Sequence, residues 1–144
     1  MPLNTVGDRK ALTEMDIRTF IRDTDPSYNI LLDDYEFTPE EIRQAQSLCV
    51  DRWNDFPPMF DNHTIDTFPF RYYMLLGTCA NLFTTAAIAY RRNKLKAQIT
   101  GGAVDPNEKA AEYDAAAAKL SSEFQQWMER AKAQINMEQC WAVL

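Results

Sequence analysis

Between Arg71 and Arg91 the chain carries no charge, and this run, inside a longer stretch from about Pro69 to Gln98, constrains the fold more than any other feature. Pro69 suits a first helical turn, where its missing N–H costs nothing, and Gly101-Gly102 supplies the conformational freedom that stops a helix. The stretch therefore predicts one long central helix. Its apolar residues cover nearly the whole circumference: Phe70, Met74 and Cys79 fall on different sides from Leu75, Leu82, Phe83 and Ile88, so other helices must wrap it. A run of roughly 20 uncharged residues is also long enough to cross a bilayer. Gly77, Thr78, Asn81, Thr84 and Thr85 make it too polar for a confident span, and Ala80, Ala86, Ala87 and Ala89 suit close helix contact, so a bundle core is the expectation, with no membrane. Asn81, a polar amide amid apolar surface, needs a hydrogen-bond partner at a helix contact.

Three other segments carry helix-start signals. Thr13 with Asp16 at N3, and Leu12 positioned to staple onto Ile17, opens a short helix whose stripe is Ile17, Phe20 and Ile21. Thr38, Pro39 and Glu41 form a capping box with proline at N1, and Ile42, Ala45, Cys49, Trp53 and Phe56 mark one face until Pro57-Pro58. Asp105, Pro106 and Glu108 repeat the pattern before Tyr113, Ala117, Leu120, Phe124, Trp127 and Ala131, at alternating four and three spacing. Glu112, Lys119, Ser122, Glu129 and Lys132 form the opposite, polar face. The expected fold is all-α: a single-domain bundle of roughly four principal helices, at 13–23, 38–55, 68–98 and 105–136, around one long central helix. A bundle domain over 1–135 is followed by an extended C-terminal docking tail over 136–144.

Little in the chain points to catalysis. His63 is the sole histidine, so no imidazole relay or two-histidine metal site can be assembled. The acids Asp23, Asp25, Asp33, Asp34 and Glu36 invite a calcium loop, but an EF-hand needs Gly at its sixth position, which here is Tyr28, and a solvated acidic linker pinned by Ile30, Leu31 and Leu32 is expected instead. Paired carboxylates such as Glu40 and Glu41 have a structural role as caps. No enzyme activity, cofactor or metal is expected.

At 144 residues the chain has the size of one domain, and its net charge of −6 argues against a dedicated nucleic-acid binder. Three widely spaced cysteines, Cys49, Cys79 and Cys140, with no CxxC spacing, indicate a reducing compartment. The first residues lack the apolar segment of a secretory signal, so the protein is expected to stay where it is made, and Cys140 stands one position too early for a prenylation box.

Two features look outward. Arg91, Arg92, Lys94 and Lys96 cluster at the end of the central helix, where they complement its dipole and offer contacts to an acidic neighbour subunit or passing nucleic acid. The chain then finishes INMEQCWAVL, so that Cys140, Trp141, Val143 and Leu144 stay wet unless something receives them. Docking on a partner and folding back onto the bundle both satisfy that requirement.

In order, IRTFIRDTDPSYNILLDD, EFTPEEIRQA, the break WNDFPP, FPFRYYMLLGTCANLF and YRRNKLKAQITGGAVD cover most of the chain. This succession resembles the helical head-to-tail connector proteins of tailed bacteriophages, also called adaptor, head-completion or neck proteins. The resemblance implies a non-enzymatic virion protein made in the host cytoplasm. It further implies a homo-oligomeric ring, commonly a dodecamer, that joins the portal protein to the next neck or tail protein and surrounds DNA without reading its sequence. A cytosolic helical regulatory or protein-binding module is the alternative reading of the same residues.

Overall fold

A computed structural model describes residues 11–28, 34–59, 62–93 and 106–142. Among the described residues there is no strand; the elements are α1 (Glu14–Ile21), a 3-10 turn (Pro26–Tyr28), α2 (Pro39–Asp55), α3 (Arg71–Arg92) and α4 (Pro106–Ala142). The fold is the expected all-helical bundle.

Of the three anticipated N-terminal caps, the two within the described residues are both formed as capping boxes. The Thr13 side chain accepts from the Asp16 N–H and Asp16 accepts from the Thr13 N–H, and Thr38 and Glu41 make the same reciprocal pair. The Thr13 backbone N–H, more than any other neighbour, holds the Asp16 carboxyl below its ordinary range. Phe37 and Ile42, on either side of the second cap, are both buried in one cluster, as a hydrophobic staple requires.

Two boundaries differ from the sequence reading. The central helix starts at Arg71 instead of 68, because Thr64–Phe68 forms its own turn, with the Phe68 N–H on the Thr64 carbonyl, and turns the Phe68 ring into the core. Pro69 therefore precedes the cap, which is Phe70. The described helix ends at Arg92 with Asn93 donating to the Ala89 carbonyl; 94–98, Gly101-Gly102 and Asp105 lie outside the described residues, as do Ile30, Leu31 and Leu32. α4 runs through Ala142 instead of ending near 136, since neither Gly nor Pro follows Pro106 and Met137, Glu138 and Gln139 favour helix.

α3 is the centre of the bundle. It runs antiparallel to α4, with Tyr73 stacked on Trp127 (4.0 Å between ring centroids) at one end and Tyr90 on Tyr113 (5.7 Å) at the other. It is antiparallel to α2 as well: the Cys49 thiol faces the Met74 carbonyl (3.8 Å), and Asn81 Nδ2 donates to the Ala45 carbonyl (3.0 Å), the helix contact its polarity required. Met74, Leu76, Cys79 and Leu82 are all buried, although they point in different directions round the helix. By length and composition α3 passes as a membrane span, at a mean hydropathy of 1.2, yet half of that window is buried within the bundle.

Two apolar clusters meet on α3. One joins Ile17, Phe37, Ile42, Ala45, Cys79 and Leu82; the other joins Cys49, Trp53, Phe68, Met74, Phe124 and Met128. Trp53, only 2 % exposed, stacks on Trp127 and meets Phe68 edge-on.

Two charged residues are inside where solvated positions were expected. Lys132, placed on the polar face by the heptad reading, is 2 % exposed: it follows Met128 by one turn on the core side, its Nζ lies 4.4 Å from the Trp53 ring centre and it donates to the Pro58 carbonyl (3.1 Å). Asp23, expected in a solvated linker, is 7 % exposed, because its carboxylate takes Arg18 Nη1 (2.8 Å) and the backbone N–H groups of Glu36 and Phe37. Arg18 also donates to Glu14 and to the Phe37 carbonyl. Arg18 thereby displaces Phe20, 45 % exposed, from the buried face of α1.

Candidate docking surface

The end of α4 defines the first outward-facing surface. Residues paired across the bundle, Trp127 with Tyr73 and Lys132 with Pro58, show that α4 passes the start of α3 shortly after Lys132. Ile135 is the last α4 residue packed against the core, and 136–141 are exposed. The helix thus overhangs its own bundle by roughly 10 Å, at 1.5 Å per residue.

The direction of the overhanging side chains follows from helical geometry. At about 100° per residue, the core-facing positions Ala117, Phe124, Met128 and Lys132 all lie within about 60° of Ile135. Met137, Cys140 and Trp141 lie between about 120° and 160° away from that direction, on the far side of the helix. Trp141 is 71 % and Met137 60 % exposed. While α4 stays helical this stripe cannot fold back onto its own core. Met137 belongs to the stripe but escaped the sequence reading, which followed the tail as a linear segment; i, i+3, i+4 spacing from Met137 carries the signal.

Of the predicted site residues, Cys140 and Trp141 are brought together on this stripe. Val143 and Leu144 lie outside the described residues, as do Lys94 and Lys96. Arg91 and Arg92 sit at the opposite end of the molecule from Trp141 and have different surroundings. Arg91 is ion-paired with Asp114 of α4, whereas Arg92 is exposed and makes no ion pair among the described residues.

A second surface lies between α2 and α3, where Gln44, Ala45, Leu48, Asn81 and Thr85 line a groove of about 390 Å³ with Glu40 and Glu41 at its rim. Leu48 is 44 % exposed; Ile88, which continues the Asn81 and Thr85 row along α3, is 51 % exposed. Arg92 follows Ile88 by one turn on the same row. Sequence reasoning missed the groove because Leu48 stands off the apolar face read for α2 and Ile88 was read as part of a helix wrapped on every side, and only packing shows both uncovered.

The titratable groups inside the bundle are poorly placed for chemistry. Burial pushes the Cys49 and Cys79 thiols up to about 12, so both are protonated and unreactive at neutral pH. Burial, with the Glu36 carboxylate second, raises Tyr90 to about 12 and raises Tyr113 as well. His63 packs edge-on against Phe68, and Asn54 bonds both its backbone N–H and its carbonyl. Among the described residues no three His, Cys, Asp or Glu side chains converge as a metal site would require.

The chain matches no family model, no curated protein and no solved structure.

Proposed function

We propose that this chain is a structural subunit of a tailed-phage neck, a head-to-tail connector that forms a ring, commonly of twelve copies, between the portal and the next neck or tail protein. The observation that carries the reading is the overhanging end of α4, whose Met137, Cys140 and Trp141 are exposed on the side away from their own bundle. An aromatic anchor beside aliphatic neighbours is the kind of group that dominates protein interfaces. The succession of sequence pieces that resembles the connector family supplies the virion setting. In this reading the 136–144 segment, with Val143 and Leu144, is the docking arm, and Arg92, Lys94 and Lys96 face a neighbouring subunit or the DNA passing through the ring.

The test is a native mass measurement of the full chain, alone and mixed with the portal protein of the same phage. A ring-sized species alone or on the portal is the expected result. A chain that stays monomeric and leaves the portal unbound would overturn the reading.

A further inference from the structure

Gln46 on α2 is only 8 % exposed, and its side-chain amide makes no hydrogen bond among the described residues. A buried amide without partners is costly, and nearly all such groups find one. Gln46 lines a cavity of about 380 Å³ between α2, the start of α1 and the 64–68 turn, where Leu12, Ile42 and Ile65 supply the apolar wall. The same lining carries the carboxylates of Glu14, Glu40 and Asp66 against one cation, Arg43. Arg18 holds one oxygen of Glu14, whereas Glu40, Asp66 and Arg43 are exposed and make no ion pair among the described residues. The lining is therefore acidic on balance, with an unanswered amide inside it.

We infer that this cavity receives the chain's own first residues, with Lys10 or Arg9 beside Glu40 and Asp66 and a peptide unit of the same segment on the Gln46 amide. A primary amide donates and accepts at once, and a peptide unit offers the matching acceptor and donor, which an isolated ammonium or guanidinium does not. The segment MPLNTVGDRK supplies both kinds of group: a run of peptide units and, at its end, two adjacent cations. Its connection to the cavity is short. Leu12 is itself part of the wall, so Lys10 and Arg9 are separated from it by at most about 7 and 10 Å of backbone. So short a tether gives an effective concentration in the millimolar range or above, and the chain's own segment prevails over another copy's at ordinary protein concentrations. Seated there, the segment covers the half-buried Leu12 and Ile65 and ties the start of α1 to α2 and to the 64–68 turn. This contact belongs to the bundle and is independent of what the end of α4 binds.

The experiment is zero-length carbodiimide cross-linking of the full chain at dilute concentration, read by peptide mass spectrometry, together with hydrogen exchange at the Gln46 side-chain amide followed by NMR. Lys10 is expected to be joined to Glu40 or Asp66 within the monomer. Joining to Glu14 alone, which closeness in sequence permits anywhere, or to Glu40 and Asp66 only between copies, would overturn the inference. Arg9→Glu with Lys10→Glu, checked by thermal melting for an intact fold, should speed exchange of the Gln46 amide at least about tenfold and leave the backbone amides of α3 unchanged. Exchange that is already fast in the native chain and unmoved by the charge reversal would mean that water alone fills the cavity, and would equally overturn it.

Discussion

A Cβ atom built on Gly77 would stand 2.5 Å from the Sγ of Cys49 and 3.1 Å from the Phe124 ring, so α2, α3 and α4 meet at a position with room for hydrogen alone. Gly77→Ala is accordingly expected to destabilise the fold by about 1 to 2 kcal/mol, overpacking outweighing the helix propensity gained. Cys49→Ala in the same chain removes the nearest obstacle. Urea titration of the two singles and the double should show that the alanine at 77 costs less when residue 49 is alanine; equal costs in both backgrounds would refute the steric account.

The Arg18 and Asp23 pair makes the hairpin between α1 and α2 a closed unit, since Asp23 receives the Glu36 and Phe37 N–H groups and Arg18 reaches the Phe37 carbonyl. Asp23→Ala leaves a buried guanidinium and two backbone donors short of their acceptor, and a loss of about 3 kcal/mol or more is expected. Replacing both residues, Arg18→Met with Asp23→Leu, should cost less than Asp23→Ala. A change below about 1 kcal/mol for Asp23→Ala would show that the network contributes little.

Alkali should open the molecule from the α3 and α4 end that carries Tyr90 and Tyr113. Tyr90 is raised from 10.0 to about 12 in the folded chain, chiefly by burial, so the fold favours its neutral form. That contribution is complete below pH 10 and is lost as pH climbs through about 12. Tyr90→Phe should flatten the fall in melting temperature over this window. An unchanged profile would mean that Tyr90 titrates alike in both states.

Thiol labelling distinguishes the outward stripe from the core. Cys140 is exposed, whereas Cys49 and Cys79 are buried and raised to about 12, so the folded monomer should take up one equivalent of a maleimide quickly and the other two only after unfolding. Rapid labelling of all three in buffer would contradict the packing of α2 on α3.

Much of the fold was legible in the sequence because its signals are local. The Thr13 and Thr38 boxes, the proline at the head of α4 and the nearly all-round apolar surface of α3 each follow from a few neighbouring residues. What could not be read depends on distant partners. Lys132 looked solvated until the Pro58 carbonyl and the Trp53 ring were brought beside it; Asp23 looked like linker until Arg18 and the Phe37 amide closed on it. The α3 start moved because Phe68 is held by its own turn. At the docking surface Cys140 and Trp141 were visible as an apolar end, but the direction in which they point required the helix to continue past 136.

The claim that the end of α4 is an interface, separate from the fold, is tested most directly by deleting 137–144 and measuring melting temperature together with attachment, to other copies and to the portal. Residues 137–141 are exposed and lie beyond Ile135, the last α4 residue packed against the core, so the melting temperature should hold while attachment is lost. A shortened chain that assembles and binds as before would contradict the account, whatever its melting temperature.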